Sequence, residues 1–144
     1  MANAAWVAQL WPFYMKQTKK TTTLINLYTA HDVFIRDIKE APSSRKHWKK
    51  INPHELIWHV AHNDIGWAID KGALIRQEGR YDTNTMEWHN KTKSLIVPNI
   101  TTVLFELVGD KNIERLYFVF TCNDEKVSNE VFLIHRKLPW KIKN

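Results

Sequence analysis

The stretch that decides the fold is residues 100–136, ITTVLFELVGDKNIERLYFVFTCNDEKVSNEVFLIHR. It contains three runs rich in β-branched and aromatic residues, at 100–108, 114–122 and 129–136. Polar turn formers separate these runs at hairpin spacing. The pattern predicts three or four antiparallel strands in a C-terminal meander, closed by residues 138–142.

The alternation of side chains along these runs predicts which face of the sheet is buried. One face is apolar and consists of Val103, Phe105, Leu107, Leu116, Phe118, Phe120 and Cys122. The opposite face mixes apolar and polar residues, a composition that suits a ligand cavity or a subunit interface. Because such faces often pair about a two-fold axis, we expect a homodimer, with Tyr117, Val119 and Thr121 near its interface if a ligand cavity does not occupy that face.

The first half of the chain predicts helices with one early strand. Residues 4–10 favour a short helix that Pro12 bends or ends. Residues 21–31 fit either a helix or extended chain, and residues 33–39 are typical of a strand. Residues 40–50 predict a loop.

A second helix is predicted from Asn52 to about Asp70. Asn52 suits the N-cap, Pro53 the first helical position and Glu55 the third, and Gly72 would lie near the C-terminal cap. Its apolar stripe would consist of Ile57, Val60, Ala61, Ile65 and Ala68. The whole pattern predicts an α+β fold in which N-terminal helices pack on a curved antiparallel sheet, with residues 1–144 forming one domain.

Composition indicates an ordinary globular protein, with 44% hydrophobic and 25% charged residues. No run reaches the roughly 20 apolar residues that span a bilayer, and no secretory leader is evident. We therefore expect a cytoplasmic protein without membrane contact. Cys122 is the only cysteine, so an intramolecular disulfide and a cysteine zinc site are excluded.

The formal net charge of +6 favours polyanionic partners, and nine of the 21 basic residues fall between Lys16 and Lys50. Within this region, cations surround an aromatic residue, a combination that can bind phosphates while stacking a base. The residues concerned are Arg45, Lys46, Trp48, Lys49 and Lys50. A solvated charged loop is the alternative interpretation.

Helices first, a strand near Asp32 and a meander ending in Trp140-Lys141-Ile142 resemble the ketosteroid-isomerase and nuclear-transport-factor-like superfamily of cone-shaped folds. The resemblance implies a cone whose open mouth holds a small molecule, and dimerisation through the sheet. It fixes no reaction, because the superfamily mixes isomerases, dehydratases, cyclases and binding proteins.

Four residues are candidates for proton transfer in such a cavity: Tyr28, His31, Asp32 and His89. Histidine titrates near neutral pH, and burial can raise the pKa of a carboxyl group toward it. The alternative is that Asp32 caps a turn and His31 packs at a helix end. Candidate substrate-binding residues are the aromatic Trp58, Trp67 and Tyr117.

A metal site is the weaker alternative. His59 and His62 would share a helix face, with Glu55 or Asp64 as a third ligand, whereas His54 and His59 diverge by roughly 140° on a regular helix. We expect neither a metal nor a cofactor.

The sequence thus supports two hypotheses. The first is a protein that binds a small apolar or aromatic molecule, with isomerase- or dehydratase-type activity left open. The alternative is a basic accessory protein that binds nucleic acid or another partner through the Lys16 to Lys50 region.

Overall fold

The computed structural model describes residues 2–133, and it has the α+β class that the sequence predicts. One long helix, α1 (Ala2–Lys39), is followed by a short 3₁₀ helix (Arg45–His47) and eight strands. The strands are β1 (Trp48–Asn52), β2 (Glu55–Val60), β3 (Asn63–Asp70), β4 (Ala73–Asp82), β5 (Glu87–Val97), β6 (Thr102–Val108), β7 (Arg115–Cys122) and β8 (Glu125–Phe132).

The strands form two antiparallel sheets in chain order. The first contains β1 to β5 and the second contains β6, β7 and β8. Strands β6 and β7 lie within their predicted runs, with Phe105 opposite Phe118, whereas β8 begins four residues earlier than predicted. The predicted closing segment, residues 138–142, lies outside the described residues.

The helix is longer than predicted, and it replaces the early strand. It continues through Pro12 and includes residues 33–39, so the helix does not end at Pro12 and the predicted strand is wrong. Phe34 and Ile38 extend the buried stripe of Leu27 at helical spacing. Burial of that stripe outweighs the strand preference of the β-branched residues there. The strand near Asp32, on which the superfamily resemblance partly rests, is therefore helix.

The predicted helix over residues 52–70 is also wrong, because β2 and β3 form a hairpin there. The side chain of Asn52 accepts a hydrogen bond from the His54 amide at 2.9 Å, which makes a local turn instead of a helix cap. Gly72 and Lys71 both have positive φ and connect β3 to β4 as a tight hairpin turn. The predicted loop at 40–50 contains the 3₁₀ helix and the start of β1.

The core lies where the C-terminal half of α1 meets both sheets. The ring of Phe34 is completely buried, with its centroid 5.0 Å from that of Trp67 in the first sheet. It also lies 5.4 Å from Phe105, 4.7 Å from Phe118 and 5.4 Å from Phe120, all in the second sheet. The predicted buried face of β6 and β7 is confirmed, because six of its residues are buried and Leu107 packs against the core.

A buried ionic network also joins α1 to the first sheet. Asp37 on the helix is 5% exposed and accepts hydrogen bonds from the Trp67 indole at 2.7 Å and from Arg76 at 2.6 Å and 3.2 Å. Arg76 also donates to Glu78 at 3.0 Å. Burial would lower the pKa of Arg76, but the hydrogen bonds with the two carboxylates outweigh burial and raise it. The network fixes how the helix lies on the sheet.

Candidate partner-binding surface

The helix changes environment at Thr23. Every residue from 7 to 22 is exposed, whereas Thr23 is the first residue of a stripe that the sheets bury. Sixteen helical residues extend roughly 24 Å. The N-terminal part of α1 is therefore a rod that the described part of the domain leaves open to solvent.

This rod carries large apolar side chains that the described residues leave uncovered. Between 48% and 63% of each is exposed: Val7, Leu10, Trp11, Phe13, Tyr14 and Met15. The Trp11 and Tyr14 rings lie 6.0 Å apart and line a shallow groove of about 300 Å³ together with Val7 and Leu10. Contiguous exposed apolar side chains of this kind mark interaction surfaces more often than single exposed residues do.

The exposed apolar residues continue along the side of α1 that faces away from the sheets. We define this outward stripe as Val7, Trp11, Tyr14, Thr18, Thr21, Ile25 and Tyr28, all of them exposed. At about 100° per residue these positions share one face. The buried stripe of Thr23, Leu27, Ala30 and Phe34 lies on the opposite face.

The basic residues of the rod lie near the sheet side. Lys20 approaches Glu125 at 3.6 Å, and the Asn123 side chain donates to the Thr23 hydroxyl at 3.4 Å. A crevice of about 600 Å³ separates Lys16 and Lys19 from the β7–β8 turn. These lysines therefore place no charge on the outward stripe.

The predicted nucleic-acid residues are largely engaged in contacts within the fold. Arg45 donates two hydrogen bonds to the Gly109 carbonyl, at 2.7 Å and 3.2 Å. Lys50 pairs with Glu55 at 2.6 Å, and this hydrogen bond raises the pKa of Lys50. Trp48 is buried, with its indole donating to the Pro42 carbonyl at 2.9 Å, and Lys46 remains exposed.

Lys49 belongs to a second buried network. Its ammonium donates to Asp64 at 2.7 Å and to the Tyr81 carbonyl at 2.9 Å. Asp64 also accepts the Tyr81 amide at 2.7 Å and lies 2.8 Å from Nδ1 of His59. Burial would raise the pKa of Asp64, but the hydrogen bonds from Lys49, Tyr81 and His59 together lower it. The ionised carboxylate therefore ties β1 to β3 and β4.

The four residues predicted for proton transfer do not form one cluster around a described cavity. Tyr28 is exposed on the outward stripe, and the Asp32 side chain is 82% exposed. His31 lies 3.1 Å from Asp32 and 3.1 Å from Asn129, with its ring against Phe118. His89 is exposed on β5, opposite Arg80.

Two of the predicted substrate-binding residues are core residues. Trp67 is fully buried in the network with Asp37, and Trp58 is fully buried 5.0 Å from the Trp48 ring. Tyr117 is 38% exposed and lines an open groove of about 180 Å³ beside Glu106 and Glu130. Trp58, Trp67 and Tyr117 therefore do not line a common groove among those described.

The histidines considered for a metal site lie on the β2–β3 hairpin and not on a helix face. His59 is in β2 and His62 in the following turn. Within residues 2–133, no three His, Cys, Asp or Glu side chains are grouped so that they could hold a metal ion. In the same range, no helix is long and apolar enough to cross a membrane.

Sequence reasoning missed the outward stripe, although its signal is present in the chain. Alternating steps of four and three residues lead from Val7 to Tyr28. Ending the helix at Pro12 divided this pattern into two unrelated pieces. The continuous helix makes it one surface.

The chain matches no protein-family model, and no curated protein matches its sequence.

Proposed function

We propose that this protein is a partner-binding accessory protein that acts through the exposed N-terminal part of α1. The observation that supports the proposal is the division of the helix at Thr23. One part completes the core, and the other presents apolar side chains to solvent. This proposal develops the partner-binding alternative. The proposed surface begins at Val7, before the Lys16 to Lys50 region, and overlaps the first part of that region.

Helix energetics support the proposal. Most helical stability in proteins comes from tertiary packing of one helix face and not from helix propensity alone. Residues 7–22 have no buried residue among them, so the described domain stabilises them mainly by continuing the helix, with the Lys20–Glu125 pair as an added contact. A partner that covers the outward stripe would bury Trp11 and Tyr14 and supply the missing packing.

The test is the size of the complex that contains this chain in gentle extracts of cells that make it. We expect the wild-type chain to elute well above its 17.1 kDa mass. The double variant Trp11→Gln/Tyr14→Gln should elute near that mass, because glutamine retains helix propensity and removes the apolar contacts.

The matched control is Met86→Gln/Leu95→Gln, which removes two equally exposed apolar side chains from the first sheet and its β4–β5 turn. This control should elute like the wild type. Elution of the wild type as a monomer would contradict the proposal, as would an equal shift in both double variants.

Small-molecule binding, the isomerase- or dehydratase-type activity and the cone-superfamily membership stay predictions. Nucleic-acid binding also stays a prediction, with Lys46 and the lysines of α1 as the exposed cations that would support it. The contacts of Trp58, Trp67, Arg45 and Lys49 within the fold favour the helix surface over these alternatives.

A further inference from the structure

The outward stripe has the spacing of a coiled-coil seam. Its positions, with Asp32 as the last, follow steps of four and three residues: 7, 11, 14, 18, 21, 25, 28 and 32. In heptad terms, residues 11, 18, 25 and 32 are a positions, and residues 7, 14, 21 and 28 are d positions. The large exposed apolar residues of α1 that lie outside this seam are Leu10, Phe13 and Met15, and they are confined to its first turns.

The charges on α1 permit two such seams to meet. The e and g positions that flank a seam hold no Lys, Arg, Asp or Glu: Ala8, Leu10, Met15, Gln17, Thr22, Leu24, Thr29 and His31. Lys16, Lys19 and Lys20 occupy f, b and c positions, away from the seam. Two copies would therefore approach without like charges opposite one another over most of the seam.

The polar residues within the seam already have hydrogen-bond partners. Thr18 donates to the Tyr14 carbonyl at 3.0 Å, and Thr21 donates to the Gln17 carbonyl at 2.9 Å. The adjacent Thr22 donates to the Thr18 carbonyl at 3.0 Å. Since burial is expensive only for unpaired polar groups, these threonines can enter an interface with their methyl groups outward.

The part of the domain that the structure describes leaves the seam open. Thr23 and Ala30 occupy f positions, and Leu27 and Phe34 occupy c positions, and all four are buried by the sheets. The sheets therefore lie on the far side of α1 from the seam. A second helix can reach the seam along its whole length, which is roughly 32 Å from Val7 to Tyr28.

We propose that the occupant of the outward stripe is a second copy of this chain, paired helix to helix along the seam from Val7 to Tyr28. This inference rests on the proposed function and names its partner. A membrane surface fits less well, because an interfacial helix carries a broad apolar face along its length, whereas the broad face of α1 ends at Met15 and three threonines lie in or beside the middle of the seam.

The first test is the mass of the purified full chain by light scattering over a concentration series. We expect a shift from the 17.1 kDa monomer toward twice that mass as concentration rises. Ile25→Lys should keep the chain monomeric at every concentration, because it places a charge at an a position within the seam. Ile25 is exposed, so this change should leave the fold intact.

The matched control is Gln9→Lys, which adds the same charge to the exposed opposite face of the same helix. It should dimerise like the wild type. A wild type that stays monomeric, or a dimer that Ile25→Lys and Gln9→Lys affect equally, would overturn the inference. Monomers that bind anionic vesicles through the stripe would overturn it as well.

The second test uses Thr18→Cys, which lies near the middle of the seam and is therefore close to its counterpart in either helix orientation. Mild oxidation should give a disulfide-linked dimer, whereas Lys16→Cys on the far face should not. The native Cys122 is buried and is present in both variants, so any disulfide that it forms would be equal in the two. Equal linkage at positions 16 and 18 would count against the seam.

The two proposals can fail separately. If the purified chain is monomeric but Trp11→Gln/Tyr14→Gln still shrinks the complex in extracts, self-pairing is wrong and partner binding stands. If that double variant leaves the complex unchanged, the proposed function itself is wrong.

Discussion

Phe34→Ala is expected to lower the free energy of unfolding by about 3–5 kcal/mol. The Phe34 ring is completely buried and contacts aromatic rings of both sheets. Removing it leaves a cavity at the junction of the helix and the two sheets. Urea unfolding monitored by far-ultraviolet circular dichroism would measure the loss in free energy of unfolding.

The matched control is Phe13→Ala, which makes the same change on the same helix where the ring is 63% exposed. Its effect should stay within about 0.5 kcal/mol, as for most surface substitutions. Similar losses for the two variants would contradict the division of α1 into a core part and an exposed part.

Asp37→Ala is expected to cost about 3–5 kcal/mol, because it removes one partner of a buried ion pair. The Arg76 guanidinium and the Trp67 indole would both lose their acceptor on the helix. The loss arises mainly from the unpaired groups that remain, so the same unfolding measurement should show it even without a visible change in fold.

Asp32→Ala is the control for this prediction, because its side chain is 82% exposed on the same helix. It should change the free energy of unfolding by less than about 1 kcal/mol. An Asp37→Ala variant as stable as Asp32→Ala would show that the network does not anchor the helix.

The C-terminal strands were predictable because their signals are local. Alternating apolar residues and polar turns specify β6 and β7, and their buried face follows from the two-residue period of a strand. The β2–β3 hairpin was not predictable in this way. Asn52, Pro53 and Glu55 fit a helix cap locally, and only the pairing of β2 with β1 and β3 decides between a helix and a hairpin.

The Asp37 network and the outward stripe of α1 were harder to predict from the sequence than the strands were. Asp37 binds Trp67 and Arg76, which lie 30 and 39 residues away, so no local spacing could identify the network. The outward stripe has a periodic signal, but Pro12 obscured it. Seeing that the stripe is exposed also requires knowing which face of α1 the sheets cover.

In our proposal, the outward stripe of α1 is the surface that binds the partner. Site-specific photocrosslinking in cells that make the protein would detect this contact, with the crosslinker at Tyr14 on the stripe or at Lys16 on the opposite face. Both positions are exposed on the same helical turn. We predict a discrete crosslinked product from position 14 and little or none from position 16. Equal products from both positions, or no product from position 14, would contradict the claim.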